Sequence, residues 1–235
     1  MKNIALLCLL LLTSCRKQSQ PVPAIPTPPV SELESVLEQM DVASATFTTA
    51  QTECAWVHCI HVVMETETKK GHLYMRRNGT DMDVLLDITW PSPQKVLFQS
   101  GKMSVYEPKI AQVSEYERVP REAPLSYLMV GFGGRGHDLL QSYNVSLAGW
   151  ETVDEARTAK LQLIPLSHEF GSAVREFFVW IDPQRDVPIQ WQVRETDGDR
   201  WIQHCTGFQI NGTISDDVFV FKTTSRTKIV KGQTN

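Results

Sequence analysis

Residues 72–90 read HLYMRRNGTDMDVLLDITW, and an Asn78-Gly79 pair sits inside the stretch. Asn-Gly between two runs rich in aliphatic and aromatic residues signals a hairpin, because both residues accept the positive φ angles that a tight turn requires. The reading is therefore two antiparallel strands, 72–77 and 82–90. The same texture continues on both sides. Further strands are expected at 43–52, 60–66, 95–99, 103–106 and 110–116, with Lys70-Gly71, Pro91, Pro93, Gly101 and Pro108 as turn residues between them. An antiparallel meander follows.

After Tyr116 the strand pattern stops. Pro124-Leu125-Ser126-Tyr127-Leu128-Met129-Val130 reads as an apolar helical turn or two, followed by glycines. Strands resume at 145–150, 160–164, 176–181, 189–195, 201–211 and 218–222. Ahead of the sheet, Ser31-Glu32-Leu33-Glu34 has the form of a capping box, and Leu33, Val36, Leu37 and Met40 recur at helical spacing. The expected class is mainly β with some α: a long antiparallel sheet led by a short helix and interrupted by one helical insertion.

Gly131-Phe132-Gly133-Gly134-Arg135-Gly136 satisfies G-x-G-x-x-G by letter. A dinucleotide fingerprint needs a strand before it and a helix opening from it in a βαβ unit, and this run follows a helical segment in a β pattern. Its glycines are better read as a hinge beside an apolar lid. No nucleophile elbow, H-E-x-x-H or S-x-x-K motif occurs, so no enzyme and no cofactor is expected. With a net charge of −4 and scattered Lys and Arg, nucleic acid is not a partner.

The N-terminus opens with Lys2 and an apolar run from Ile4 to Leu12, then presents Thr13, Ser14 and Cys15. That order is a secretory signal, and at about 1.5 Å per residue the run is too short to span a hydrocarbon core of ~30 Å. Leu12-Thr13-Ser14-Cys15 resembles the bacterial lipobox, which makes Cys15 the lipidated N-terminus and the anchor to a membrane. Residues 16–30 carry five prolines and no periodicity, a tether. The organisation is then 1–14 signal peptide, 15–30 lipidated cysteine and tether, 31–230 one domain and 231–235 a tail. Arg16, where an aspartate would resemble an inner-membrane retention signal, points to the outer membrane, facing the periplasm.

Cys54, Cys59 and Cys205 remain for an oxidising compartment. Cys54 and Cys59 are close enough to bridge a strand-to-strand bend, leaving Cys205 unpaired. His58, Cys59, His61 and His204-Cys205 invite a metal reading, but their spacing matches no standard zinc pattern and no metal is expected.

In their order, Ala45-Thr46-Phe47-Thr48, Gly71 to Arg77, Trp90-Pro91-Ser92-Pro93, Gln99 to Lys102, Val105 to Pro108, Pro124-Leu125, Trp180-Ile181-Asp182 and Asp217 to Phe221 resemble the LolA/LolB lipoprotein-localisation family over roughly residues 31–230. The resemblance implies an incomplete, half-open antiparallel β-barrel closed by a helical lid, whose apolar interior receives the acyl chains of lipoproteins or lipids. Leu73, Met75, Met82, Leu85, Leu97, Val105 and Phe178 are the expected walls, with Met64 and Met103 as adaptable fillers. Leu125, Tyr127, Leu128, Met129 and Phe132 form the expected lid. Arg77 matches the arginine that, in the family, ends the third strand and ties the lid helices through their backbone. The polar stretch 77–81 departs from the acceptor's apolar tip, and the lipobox departs from the soluble carriers. The implied protein is a monomeric, lipid-anchored carrier or acceptor of the envelope. The alternative is an RseB-like sensor binding a protein partner, though such proteins usually carry a second domain.

Overall fold

A computed structural model describes residues 31–79, 81–117, 130–166, 174–182, 184–185 and 187–232. It begins with α1 (Glu32–Thr46), capped as the sequence predicts: the Ser31 hydroxyl accepts from the Glu34 amide at 3.1 Å, and Glu32 and Glu34 lie in the positive first turn. Val36, Leu37 and Met40 form its buried stripe. The helix runs past residue 42, where a strand is expected. Ala43 and Ala45 favour its continuation, and the terminal carbonyls of Ser44 and Phe47 find a donor in Arg77.

The strands follow: β1 (Thr49–Ile60), β2 (Glu65–Asn78), β3 (Asp81–Trp90), β4 (Gln94–Gln99), β5 (Lys102–Glu107), β6 (Gln112–Tyr116), β7 (Tyr143–Val153), β8 (Ala156–Pro165), β9 (Val174–Asp182), β10 (Val187–Glu195), β11 (Arg200–Ile210) and β12 (Lys228–Lys231). A four-residue helix, α2 (Leu139–Ser142), precedes β7. These twelve strands form one open sheet in the order β12-β6-β5-β4-β3-β2-β1-β11-β10-β9-β8-β7, not closed into a barrel. Two meanders, β1 to β6 and β7 to β11, are joined along the β1–β11 seam.

Several expectations are corrected. The strand at 60–66 is instead the tip of the β1–β2 hairpin: pairing runs to Ile60 opposite Glu65, and the Met64 amide closes the turn on the His61 carbonyl at 3.4 Å. Arg77 therefore ends the second strand, not the third. Lys70-Gly71 is no turn but lies within β2, opposite a bulge at Thr89 of β3, and a Cβ on Gly71 would lie 2.0 Å from the Asp87 carbonyl oxygen. The strand at 218–222 is replaced by a 3-10 turn, Asp216–Phe219. Past it, β12 adds to the β6 edge in parallel, a pairing that short exposed residues did not announce.

The disulfide expectation is also overturned. Cys54 bonds Cys205, and Cys59 is free. Cys54 and Cys59 share the single strand β1, with no bend between them. Five residues of strand separate them by about 16 Å and put them on opposite faces. Cys54 and Cys205 are direct partners across the seam, their Cα atoms 4.2 Å apart.

Candidate functional site

Side-chain alternation sorts the sheet into two faces. On the inner face Leu73, Met75, Val84, Phe98, Met103, Leu161, Leu163, Phe177, Val179 and Trp191 form one buried cluster with the apolar stripe of α1 and with Phe132. Met82, Leu86, Val96 and Val105 extend this surface across β3, β4 and β5, and they are only partly buried. The chain leaves β6 after Tyr116 and, beyond Glu117, is next described at Val130, whose carbonyl accepts from the Trp191 indole at 3.2 Å. Of the expected walls, Leu73, Met75, Met82 and Val105 thus share one face.

Leu85, Leu97 and Phe178 do not. Leu85 faces Leu97 and Tyr74 across the strands, on the outer side, and Phe219 packs onto the pair. Phe178 alternates with the inward Phe177 and Val179, and lies outside with Trp180 beneath Lys160 and Arg194, whose charged groups sit 4.7 to 5.0 Å from the rings. Met64 is no wall either; it is 90 % exposed at the β1–β2 tip. Of the expected lid, Leu125, Tyr127, Leu128 and Met129 lie outside the described residues, while Phe132 is buried against Phe47, Trp191 and Phe208.

Arg77 occupies a junction. Its Nε donates to the Phe47 carbonyl at 3.1 Å, and Nη2 donates to the carbonyls of Ser44 at 3.1 Å and Gly133 at 2.9 Å. One guanidinium thus joins the end of β2, the end of α1 and the glycine-rich segment. The glycines there allow close approach rather than looseness: Gly133 has φ +66° and a Cβ on it would meet the Phe47 ring at 2.8 Å, while a Cβ on Gly136 would meet the Leu37 carbonyl at 2.5 Å.

A second fastening was not anticipated. His137 lies between Asp41, at 2.7 Å from Nδ1, and Glu34, at 2.8 Å from Nε2, and its amide also donates to Asp41 at 3.2 Å. Glu34 and Asp41 stand seven apart on one face of α1, a spacing the sequence did contain. Hydrogen bonds to Glu34 and then Asp41 hold the imidazolium, raising His137 above its ordinary value of 6.5. Burial of Asp41 acts to raise its own value, but the His137 hydrogen bonds outweigh it and the carboxyl is lowered. A raised histidine contributes stability in full below its unfolded value and loses it as pH rises through the folded value. The thermal midpoint is therefore expected to fall from mildly acidic to mildly alkaline buffer, and His137→Gln to flatten that slope. An equal slope in both proteins would remove the clamp from the account.

Two histidines of the metal reading pair with carboxylates: His58 with Asp199 at 3.1 Å, and His204 with Asp154 at 2.8 Å. Glu195, Asp197 and Asp199 form an acidic group at the β10–β11 turn, tied into it by the Trp201 indole, the Asp199 amide and the His61 amide. Beside the seam the Trp56 indole donates to the Gln203 side chain at 2.8 Å, which satisfies both polar groups without a ligand.

The family model described as outer membrane lipoprotein carrier protein LolA matches residues 62–222. An uncharacterized conserved protein from Thermus thermophilus is similar in structure, with TM-score 0.54 and 11% identity over 86% of this chain and 100% of that one. MucB is similar with TM-score 0.52 and 12% identity over 84% of this chain and 65% of its own. A DUF1329 family protein from Desulfovibrio piger gives TM-score 0.48 and 14% identity over 83% and 98%. No curated protein sequence matches the chain. At these identities the structures show the fold alone, whereas the family model covers well over half of the sequence, and the chain belongs to the LolA outer membrane lipoprotein carrier family.

Proposed function

We propose that this protein is a lipid-anchored carrier or acceptor of the cell envelope, binding the acyl chains of lipoproteins or lipids against the inner face of its sheet for delivery to the outer membrane. The observation that carries the reading is the partly uncovered apolar surface of Met82, Leu86, Val96 and Val105 beside the closed core. At roughly 0.8 kcal/mol per methylene, a 16-carbon chain could gain on the order of 12 kcal/mol gross by leaving water. Release requires that this gain be offset by a closed state of similar free energy. The fastenings at Arg77 and His137 suit that requirement, because both are polar and lie at the surface of the junction. In this reading Leu125, Tyr127, Leu128 and Met129 cover the bound chain, and Cys15 holds a monomer at the periplasmic side of the outer membrane.

Native mass spectrometry of the detergent-extracted protein tests the reading. The expected result is an acyl mass on Cys15 together with non-covalently bound acylated cargo, and reduced transfer of that cargo when Leu128 and Met129 are both changed to Ala. A stoichiometric protein partner with no lipid would favour the RseB-like sensor instead.

A further inference from the structure

A cleft of about 480 Å³ opens between α1 and the glycine-rich segment, lined by Asp41, Ser44, Arg77, Gly133, Arg135 and Asp138. That size falls within the ~300–1,000 Å³ typical of small-ligand sites. The carbonyls in it are already satisfied: Gly133 accepts from the Ser44 hydroxyl at 2.9 Å as well as from Arg77 Nη2, and Ser44 accepts from the same Nη2. Arg77 thus commits Nε and Nη2 to carbonyls, but a guanidinium carries donors on each of its nitrogens, and Nη1 has no acceptor among the described residues. Gly133 keeps this guanidinium uncovered. A Cβ there would stand 3.2 Å from Nη2.

Arg135 is the second cation of the cleft. Its side chain is 61% exposed, and its one polar contact among the described residues is Asp41 at 3.5 Å. Asp41 is itself engaged by His137, through Nδ1 at 2.7 Å and the amide at 3.2 Å, while Glu34 holds the other ring nitrogen. Asp138 remains, meeting only the Gln141 side-chain amide at 3.5 Å. With His137 protonated, the charges of Arg77, Arg135 and His137 balance those of Glu34, Asp41 and Asp138. A simple anion or cation therefore finds no net field. The uncommitted groups nevertheless differ in kind: guanidinium donors without acceptors at Arg77 and Arg135, and a carboxylate with one long contact at Asp138.

We propose that this cleft binds the zwitterionic phosphoethanolamine headgroup of a lipid, its phosphodiester accepting from Arg77 Nη1 and from Arg135, and its ammonium donating to Asp138. Guanidinium groups suit the oxygens of a phosphate, and Arg77 can take one without releasing the carbonyls it already holds. Arg77 also pairs directly with Met82 across β2 and β3, and side chains so paired stand about 5 Å apart. Met82 belongs to the partly buried apolar surface of the inner face, so a headgroup in the cleft and acyl chains on that surface occupy adjoining parts of one face. The proposal rests on the reading that this surface takes acyl chains, and it specifies the cargo.

The test uses the mature chain with Cys15→Ser, so that acyl groups of its own do not compete, and titrates it with palmitoyl lysophosphatidylethanolamine, palmitoyl lysophosphatidylglycerol and monopalmitoylglycerol. The ethanolamine probe is expected to bind about tenfold or more tightly than the uncharged one, the ratio that charge-assisted hydrogen bonds supply, with the phosphoglycerol probe between them. Arg135→Gln should abolish the preference, Arg135→Lys should restore part of it, and Asp138→Asn should bring the two phosphate probes level. Lys231→Gln, exposed on β12, should leave all three affinities unchanged. Equal affinities in the parent, or a preference that Arg135→Gln does not move, overturn the proposal and leave the acyl reading standing. Tighter binding of the phosphoglycerol probe, or displacement of the ethanolamine probe by inorganic phosphate as readily as by soluble phosphoethanolamine, overturns it in favour of a general anion site. If none of the three amphiphiles binds, the acyl reading fails by itself, and soluble phosphoethanolamine then decides the headgroup site: amide resonance shifts at Gly133 and Gly134 that vanish in Arg135→Gln uphold it, and their absence overturns it.

Discussion

The variant with Cys54 and Cys205 both changed to Ala is expected to unfold in urea with about 4 kcal/mol less stability than the parent, a large share of the roughly 5–15 kcal/mol typical of a domain. The two cysteines are 151 residues apart in sequence. Closing a loop of that length in the unfolded chain removes entropy equivalent to about 5 kcal/mol in the chain-entropy model. The link also sits where it matters for cooperation between elements, because β1 against β11 is the seam that joins the two meanders. Both sulfur-bearing residues are buried in the inner core, so alanine leaves only a small void. Reduction of the parent should reproduce the loss, and Cys59→Ala should stay within about 0.5 kcal/mol. An unchanged urea midpoint on reduction would show that the seam holds without the covalent link.

The hairpin at residues 72–90 was legible because an Asn-Gly turn and flanking strand residues agree, and nearly every strand of the second meander appears where alternation placed it. Which face each residue occupies was not legible. Val84, Leu85 and Leu86 form an unbroken apolar run because β3 is covered on both sides, by the inner core and by Phe219 outside. Phe177 to Ile181 is the same case, its outer aromatics covered by Lys160 and Arg194 instead of a second layer. When both faces are apolar, period-2 alternation disappears, and Leu85, Leu97 and Phe178 could be assigned to the cavity as easily as Leu73 and Met75. The disulfide was illegible for another reason: proximity along the chain favours Cys59, whereas the register of two distant strands selects Cys205.

Phe132, placed by the sequence in the expected lid, is buried within the glycine-rich segment. Phe132→Ala is expected to cost about 3–5 kcal/mol, the range for truncating a fully buried aromatic. Its ring lies 5.6 Å from Trp191, 6.2 Å from Phe208 and 6.4 Å from Phe47, so it touches the second meander and the end of α1. Because Val130 is fixed to the Trp191 indole and Gly133 to Arg77, the ring is the apolar centre of a segment whose two flanks are held by hydrogen bonds. Losing the ring leaves those bonds bridging a cavity, and the segment should open locally at lower free energy than the sheet unfolds. Amide exchange should therefore accelerate across residues 130–138 more than in β8 and β9, and Phe132→Leu, which keeps most of the volume, should recover most of the midpoint. Uniform acceleration throughout the sheet would instead make Phe132 an ordinary core residue, with no special part in fastening this segment to α1.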